Sequence, residues 1–486
     1  MKHYEELTGG EGRRIFYRAE RFDAKTLMSS ISPIIDVQDD TFDLYDISMS
    51  GISFVSSEGA SWLDDMNKDV PISLKLGPTE VFHGQGKICR IEPHEDMHKV
   101  AIELTKGYLD IQNLLEQHDD LALRQNIATG LNDQSALVSA EYKQLMSDAV
   151  YLIRSVKTVL DKVENELGRD DPRRDERITD IVLACEAQAL VRWNEISKKS
   201  LAIVDTIRDD ATAVAAMKRY TELVLTPEFL SAENWQRCYF KPLGYPGDYA
   251  MMNHFYGMAF TGKTAFEKFC YHFGNTVAGV VATRMTMVKQ VIVKLTSEAA
   301  AKGQTSFSAT SLGCGPAQEV SNFLKGGHLP LKVDFTLIDQ EQGALDYAYK
   351  TTYPAVTRSN GQASVRCLHA SFVKFLAAGK LFRKIENQDL IYAVGLADYF
   401  STNRARRFAT DLYENLNPGG TLVIGNMRTS DHSIEWLMEY VVDWTLVHRD
   451  ETEMMDVASK IDPAATREII KDSTGHCHLL IVTKPE

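Results

Sequence analysis

The chain has 486 residues, which is too long for one hydrophobic core and, at about 100–200 residues per domain, predicts three domains. Its 53 Lys and Arg residues against 67 Asp and Glu residues give a net charge of −14, which disfavours general binding to nucleic acid or to an anionic membrane. The seven cysteines include no CxxC pair, so neither a zinc site nor a disulfide framework is indicated, and we expect no bound metal. The same scattered cysteines favour a reducing compartment, so we expect a cytoplasmic protein. No run reaches the ~18 apolar residues needed to cross a bilayer, so we expect no membrane span.

Short alternating stretches fill the segment from residue 13 to about residue 105, with turn signals between them. Several short strands at such spacing are typical of a small β-barrel. The predicted strands are Phe42–Ile47, Ile52–Val55, Val70–Leu76, Val81–Ile91 and Lys99–Leu104. We therefore predict a first domain, an N-terminal barrel, over residues 1–108.

Two motifs lie on this segment. Arg13-Arg14-Ile-Phe-Tyr-Arg18 places two arginines four residues apart, and Asp46-Ile-Ser48-Met-Ser-Gly51 lies at a strand end. Together they resemble the RxxxR and (D/N)xSxxG signatures of PilZ domains, which bind cyclic di-GMP. The resemblance implies a nucleotide site in which arginine forks hold phosphates and guanine faces, while the second motif contacts guanine edges; its residues are Arg13, Arg14, Arg18, Asp46, Ser48 and Gly51. The alternative is a solvated arginine face beside a common turn.

A helical period replaces the strand period from Leu109 to about Thr226. The clearest helix is predicted to begin after Asn132 as N-cap and to end at Leu167-Gly168. Apolar residues in it follow a heptad seam at positions 142, 146, 149, 153, 156, 160, 163 and 167. Such a seam predicts either a coiled coil, which would make a homodimer, or one helix of an intramolecular bundle, which we favour. The predicted helical domain covers residues 109–263.

A rigid loop, Phe240-Lys-Pro-Leu-Gly-Tyr-Pro-Gly-Asp-Tyr-Ala-Met-Met-Asn253, closes this domain. It offers phenols and a carboxylate, including Tyr245 and Asp248, that suit a cover over a ligand. The loop resembles a GYxGDYxMMN segment of a bacterial methyltransferase subfamily associated with methyl esters of 3-hydroxy fatty acids. The equally weighted alternative is that it packs the helical domain onto the next one.

The run Ser308-Ala-Thr-Ser-Leu-Gly-Cys-Gly-Pro-Ala-Gln-Glu319 predicts a strand, a glycine turn and a helix. Such a turn lets backbone N–H groups and the positive end of the helix approach a cofactor. Gln318 stands where a dinucleotide fingerprint has its third glycine, which disfavours nicotinamide and flavin. A second strand, Val333–Asp339, ends on an acid 26 residues beyond Gly313, where a carboxylate can accept ribose hydroxyls.

These motifs, with strands at 364–368 and 389–394, a Pro-Gly-Gly turn at 418–420 and a final hairpin at 467–472 and 477–484, resemble class I S-adenosylmethionine-dependent methyltransferases. The resemblance implies an α/β Rossmann-like domain over residues 264–486 that binds S-adenosylmethionine. By the same resemblance, the glycine turn holds the methionine part, Asp339 the ribose, and Ser371 the adenine edge. The full set of implied cofactor-binding residues is Gly313, Cys314, Gly315, Asp339, Gln340, Ser371, Phe372 and Gly395. The alternatives are a doubly wound domain without cofactor and, because Ser311 stands where many relatives have an acid, a vestigial site.

Methyl transfer from a sulfonium is an in-line displacement that depends on alignment more than on acid–base assistance. A carboxylate acceptor needs no base, whereas an alcohol or amine does. The catalytic candidates are Tyr245, Asp248 and Tyr399, and Tyr392, Asp398 and His432 are further candidate bases. Two apolar segments, 434–447 and 451–458, are predicted to be helices that lie over the crevice. They either form an apolar acceptor pocket or are part of the hydrophobic core.

The combined prediction is a cyclic di-GMP-regulated, S-adenosylmethionine-dependent methyltransferase. Its acceptor is a small molecule, for which a fatty-acid carboxylate is one candidate. The alternative from another class is a signalling adaptor that binds cyclic di-GMP and controls a protein partner, with a cofactor domain of little or no activity.

Overall fold

A computed structural model gives the structure of the chain. It describes residues 7–8, 14–15, 22–24, 28, 31–38, 40–57, 62, 66, 68–94, 97–106, 108–130, 134–168, 170–257, 259–327, 329–370, 385–429 and 434–486. The chain forms two compact units, Met1–Asp133 and Gln134–Glu486. Division into three domains at residues 108 and 263 stays a prediction.

The first unit contains an antiparallel barrel of six strands. Strands β1 (Leu7–Thr8) and β2 (Arg14–Ile15) pair with each other, and β3 (Phe22–Asp23) pairs with the barrel. The barrel strands are β4 (Pro33–Val37), β5 (Asp40–Ser48), β6 (Gly51–Ser56), β7 (Asp69–Leu76), β8 (Thr79–His94) and β9 (Met97–Lys106). They close in the order β5-β4-β7-β8-β9-β6, because β6 also pairs with β5. The predicted N-terminal barrel is therefore confirmed.

The barrel core is apolar and extends to helix α1 (Ile111–Gly130). Phe54 stacks on Phe42 with ring centroids 4.4 Å apart, and Leu114 of α1 belongs to the same buried cluster. His118 of α1 lies 3.3 Å from the backbone N–H of Ile31, which it accepts as a hydrogen bond through Nε2. The first helix after the barrel thus packs with the barrel in one unit.

The second unit begins with helices that share one core with the following sheet. They are α2 (Ala140–Glu166), α3 (Arg174–Asp205), α4 (Ala211–Val224), α5 (Glu233–Phe240), α6 (Tyr249–Gly257), α7 (Ala265–Val277) and α8 (Val280–Ala301). Helix α2 begins at Ala140, with the Ser139 side chain accepting the Tyr142 N–H at 3.2 Å. The predicted start after Asn132 is wrong because Ser139 supplies the cap; Asn132 itself lies outside the described residues.

The heptad seam of α2 is buried within the chain. Tyr142, Met146, Ala149, Ile153 and Leu160 are each fully covered, and α2 packs against α3 and α7. This burial agrees with an intramolecular bundle. A homodimer through this part of the chain stays a prediction.

The sequence pattern predicts a single helix over residues 264–296, but the chain bends by 49° between α7 and α8 and forms two helices there. No single described helix is long and apolar enough to cross a membrane; only α7 and α8 taken together across their bend have the required length and composition.

A seven-stranded sheet completes the second unit. Its strands are β10 (Ser306–Leu312), β11 (Lys332–Asp339), β12 (Ala363–His369), β13 (Gln388–Val394), β14 (Leu416–Met427), β15 (Thr466–Lys471) and β16 (Cys477–Thr483). They lie in the order β12-β11-β10-β13-β14-β16-β15, parallel except for the final antiparallel pairings. Helices α9 (Gln318–Lys325), α10 (Gln342–Arg358) and α11 (Thr402–Glu414) connect parallel strands. The Rossmann-like sheet with an antiparallel last hairpin is confirmed.

The segment after β14 differs from its prediction. Instead of a helix over 434–447, it forms one short helical turn that includes the π-turn Leu437–Val441. The turn ends because Asp443 takes a left-handed backbone conformation with φ of 49°, and the N–H of Trp444 returns to the carbonyl of Met438 at 2.6 Å. A second helix, α12 (Glu451–Asp456), starts at a capping box formed by Asp450 and Glu453.

Candidate active site

The glycine turn joins β10 to α9 at the carboxyl edge of the parallel sheet, where ligands of such sheets bind. Gly313, Gly315 and Ala317 all have positive φ angles, of 63°, 50° and 48°. A Cβ on Gly313 would lie only 2.9 Å from the Leu396 side chain, so this position requires glycine. The turn therefore keeps its backbone open to the space above the sheet.

Asp339, at the end of β11, is hydrogen-bonded to this turn. Its Oδ2 accepts the N–H of Gly315 at 2.8 Å, and its Oδ1 accepts the N–H of Glu341 at 2.9 Å. Burial raises the pKa of the Asp339 carboxyl, against the opposing effect of these hydrogen bonds. The neighbouring Gln340 makes a side-chain hydrogen bond with Tyr245, which links the acid end of β11 to the loop after α5.

A cavity of about 420 Å³ opens beside the glycine turn. Most of its surface is apolar, and its wall is formed by α6, α8 and the segment after β14. The residues predicted from sequence that line it are Tyr245, Gly313, Cys314, Gly315, Asp339, Gln340, Gly395 and Tyr399, together with the candidate bases Tyr392 and Asp398. The structure thus brings together predicted residues that lie more than 150 positions apart. Ser371, Phe372 and His432 lie outside the described residues.

Asp248 does not line the cavity. It is buried, and its Oδ1 accepts the Nε–H of Arg237 and the N–H of Met251, both at 2.8 Å. The latter bond is an N-cap on α6, so this carboxylate has a structural task. A catalytic role for Asp248 stays a prediction.

Tyr245 and Tyr399 present phenols at the cavity. Burial, with the nearby charges of Asp339 and Glu341, raises the pKa of Tyr245 above its ordinary value. The Tyr399 hydroxyl accepts the indole N–H of Trp444 at 3.0 Å. A phenol with a raised pKa is protonated at neutral pH, so Tyr245 suits hydrogen-bond donation better than proton abstraction.

A buried cluster under the glycine turn joins Tyr392, one of the predicted candidate bases, to Glu319, which sequence reasoning missed. The hydroxyl of Tyr392 donates to Glu319 Oε1 at 2.8 Å, and Ser311 hydrogen-bonds the same phenol. Burial raises the pKa of both Glu319 and Tyr392. Glu319 lies in the first turn of α9, directly after the glycine motif, and that proximity was the available signal.

Arg284 of α8 is a second residue that sequence reasoning missed. Its guanidinium lies over Gly395: a Cβ on this glycine would be 3.3 Å from Nη2 of Arg284. No motif surrounds Arg284, so only the packing of α8 over the sheet reveals its place at the cavity.

Arg449 stabilises the backbone of the turn that follows β13 beside the cavity. It is buried and donates to the carbonyls of Ala397 and Phe400 at 3.0 and 2.6 Å. It also donates to the Asn426 side chain. These bonds fix the turn after β13 that carries Asp398 and Tyr399.

In the first unit, the second sequence motif forms the tight connection between β5 and β6. The Ser48 hydroxyl donates to the Gly51 carbonyl at 3.0 Å, and Asp46 pairs with Lys99 at 2.5 Å. Arg14 lies in β2, whereas Arg13 and Arg18 lie outside the described residues. Within the described part of the chain, no group of three or more His, Cys, Asp or Glu residues is arranged to hold a metal ion.

No known protein family matches this chain, and no curated protein does. It is similar to a solved structure from Bordetella parapertussis described as a possible exported protein, with 16% identity and a TM-score of 0.41 over 56% of this chain and 96% of the other. It is also similar to the N-methyltransferase NodS from Bradyrhizobium japonicum in complex with S-adenosylhomocysteine, with 17% identity, a TM-score of 0.29, and coverage of 41% and 87%. A third similar structure is magnesium protoporphyrin IX methyltransferase (ChlM) from Synechocystis with S-adenosylhomocysteine, with 10% identity, a TM-score of 0.34, and coverage of 51% and 97%.

Proposed function

We propose that this chain is an S-adenosylmethionine-dependent methyltransferase. The observation that supports it most is the 2.8 Å hydrogen bond from the N–H of Gly315 to the Asp339 carboxylate. This bond connects the end of β11 to the glycine turn, and both residues line the cavity. A carboxylate there accepts ribose hydroxyls, and the open glycine backbone accommodates the methionine part. Gly395, at the end of β13, then borders the methyl group.

Glu319 fits the remaining charge of the cofactor. The methionine part carries an ammonium group, and the buried Glu319 carboxylate, hydrogen-bonded by Tyr392, lines the same cavity. In this proposal Glu319 takes the place of the acid that is missing at Ser311.

The acceptor is proposed to be an apolar small molecule with a carboxylate, such as a fatty acid. Its support is the apolar lining of the cavity, which includes Met251, Met252, Phe255, Val281, Val288, Leu437, Met438 and Trp444. The carboxylate oxygen supplies the electron pair, the methyl–sulfur bond breaks, and no proton is transferred. The phenols of Tyr245 and Tyr399 would then orient the acceptor, and catalysis would come from alignment.

Calorimetry with S-adenosylhomocysteine tests the cofactor assignment. We expect the wild-type protein to bind it and Asp339→Ala to weaken binding by about 10- to 100-fold, since charge-assisted hydrogen bonds are worth about 1.5–3 kcal/mol. Asp334→Ala, on the same strand but with its carboxylate bonded to Ser364, is the matched control. If the wild type does not bind at millimolar ligand, the adaptor alternative is favoured instead.

We further propose that the first unit binds cyclic di-GMP. The supporting observation is that Asp46, Ser48 and Gly51 lie together where β5 turns into β6 in the closed barrel. The chain also has Arg14 and Arg18, the two arginines of the first motif. Calorimetry with cyclic di-GMP tests this. Binding by the wild type that is lost in Arg14→Ala with Arg18→Ala supports the site, and equal binding by both proteins would contradict it.

A further inference from the structure

Arg284 stands on the cavity wall at the position where the proposed methyl transfer takes place. It belongs to the second turn of α8, and its guanidinium covers Gly395 at the carboxyl end of β13. Any side chain at residue 395 would press on this guanidinium, because the Cβ would lie within 3.3–3.7 Å of its atoms. The absence of a side chain at Gly395 therefore leaves room for the arginine.

The guanidinium has almost no partners of its own. Within the described part of the chain it makes one hydrogen bond, from Nη2 to Sδ of Met252 at 3.7 Å, and no ion pair. A guanidinium has five N–H donors and thioether sulfur is a weak acceptor, so most of its capacity is unused. Because Arg284 is half-buried and lines the cavity, those free donors face the space a ligand would fill.

The carboxylate of Asp398 interacts with Arg284 but does not neutralise it. The positive charge of Arg284 opposes the rise that burial causes in the pKa of Asp398, so the two groups interact at a distance. The Asp398 carboxylate, however, accepts the N–H of Met427 at 2.6 Å and forms no ion pair with Arg284. Besides Asp339 and Asp398, the carboxylate of Glu319 lines the cavity, and it is hydrogen-bonded to Tyr392.

Beyond the guanidinium the cavity wall is apolar. Met252 and Phe255 of α6 and Val281 and Val288 of α8 are buried there, and Trp444 faces them from the segment after β14. A ligand that satisfies both parts of the wall carries an anionic head and an apolar tail. Arginine suits a carboxylate head best, since its planar fork binds both oxygens.

We propose that Arg284 binds the carboxylate of the methyl acceptor and thereby selects amphiphilic carboxylic acids. This inference rests on the proposed methyltransferase function and assigns its specificity to one residue. One carboxylate oxygen forms the new bond to the methyl carbon as the carbon–sulfur bond breaks. The leaving group is neutral S-adenosylhomocysteine, and no proton or oxidant is required.

The product of this step is a neutral ester, which no longer forms an ion pair with Arg284. The same residue that holds the substrate therefore releases the product, because a charge-assisted hydrogen bond becomes a weaker neutral one. Discrimination between an acid and its methyl ester is accordingly the measurable signature of Arg284.

The experiment titrates decanoate and methyl decanoate into the full chain, with and without S-adenosylhomocysteine, by calorimetry. We expect the wild type to bind decanoate about 10- to 100-fold more tightly than methyl decanoate, and Arg284→Met to remove this preference while leaving the ester affinity unchanged. Lys294→Met is the control, since Lys294 is an exposed cation on the same helix outside the cavity. Arg284→Lys, which keeps the charge but loses the fork, should retain part of the preference and serves if Arg284→Met does not fold.

Three results would overturn the assignment. The first is equal binding of acid and ester by the wild type, and the second is a preference that survives in Arg284→Met. The third is a loss of S-adenosylhomocysteine affinity in Arg284→Met with unchanged affinity for 5′-methylthioadenosine, which would assign Arg284 to the cofactor carboxylate. Failure of the wild type to bind S-adenosylhomocysteine would instead contradict the proposed function, while the titrations without cofactor would still test Arg284.

Discussion

At the residue scale, two properties of the Glu319 carboxylate suit it to bind a charged ligand. It is buried, and it lines the cavity beside the glycine turn. Its carboxylate accepts the Tyr392 hydroxyl at 2.8 Å, and because this partner is neutral the negative charge is left for a ligand. The ammonium of the methionine part is the cofactor group that would complete it.

Glu319→Gln should therefore weaken S-adenosylhomocysteine binding by about 10-fold or more, because a charge-assisted bond is lost. Affinity for 5′-methylthioadenosine, which has no amino-acid part, should be unchanged. Paired titrations of both ligands measure the difference. An equal loss for the two ligands would mean that Glu319 supports the shape of the turn and does not bind the ammonium.

The same residue predicts a pH dependence. Burial raises the pKa of Glu319 above the ordinary value of 4.5, and only the ionised form, present above that pKa, attracts an ammonium. The ratio of S-adenosylhomocysteine to 5′-methylthioadenosine affinity should thus fall with acidification already above pH 4.5. A ratio that stays constant in the wild type down to pH 4.5 would contradict the assignment.

At the scale of secondary-structure elements, two loops stabilise the helices that form the cavity wall. The turn between β15 and β16 carries Asp472, whose Oδ1 accepts the N–H groups of His476 and Cys477 at 2.8 Å. Its Oδ2 accepts the hydroxyl of Thr283 in α8 at 2.6 Å. Because Thr283 precedes Arg284, this carboxylate anchors the helix that carries the cavity arginine.

Asp472→Asn should lower the free energy of unfolding of the second unit by about 1–3 kcal/mol at pH 7, since it removes a hydrogen-bonded charge. Burial by itself would raise the pKa of Asp472, but the bonds from Thr283, Thr474 and the backbone outweigh it and lower the pKa below 3.8. A carboxyl group whose pKa is lower in the folded state than in the unfolded state stabilises the fold at pH values above its unfolded pKa. This stabilisation is lost as the pH falls through its folded pKa. Denaturation of wild type and variant should therefore differ at pH 7 and converge below pH 3.8, and the exposed Glu468→Gln should match the wild type at both.

The loop before α6 has a structural carboxylate in Asp248. Asp248→Ala removes the cap of α6 and the partner of Arg237, and should destabilise the second unit by about 1–3 kcal/mol. Asp248→Asn keeps a capping oxygen and should lose less. Thermal unfolding with S-adenosylhomocysteine titration checks both, and an Asn variant of native stability that has lost turnover would support the predicted catalytic role of Asp248.

Coupling between the two units is a question at the scale of the whole molecule. A regulated enzyme must bind cyclic di-GMP with different affinity in its active and inactive states, and typical coupling of ~1–3 kcal/mol changes cofactor or acceptor affinity by about 5- to 150-fold.

Titration of S-adenosylmethionine with and without saturating cyclic di-GMP measures this coupling, and Arg14→Ala with Arg18→Ala should abolish it. The variant should keep the cofactor affinity that the wild type has without nucleotide. Equal affinities in all four titrations, with nucleotide binding to the wild type demonstrated, would assign the barrel to partner choice.

The sequence by itself determined the order of secondary structure and the residues at strand ends. The period of two residues predicted the barrel strands, and the period of 3.6 residues predicted the helices. The glycine turn and Asp339 predicted the edge of the crevice. All three signals could be found because they depend on neighbours along the chain. Its errors fell where a single backbone conformation decided the outcome. Ser139 displaced Asn132 as a cap, and the left-handed Asp443 ended the helix expected to run to residue 447.

Only the tertiary structure decided which side chains face the cavity. Arg284 lies on a helix that no motif marks, and its place over Gly395 follows from the packing of α8 on the sheet. The loop sequence left open whether Asp248 faces a ligand or supports packing, and the fold turns its carboxylate toward Arg237 and the N-terminus of α6. Local spacing can identify a carboxylate or a guanidinium, but its partner is set by contacts between segments far apart in sequence, and the partner determines whether the charge is free to bind a ligand.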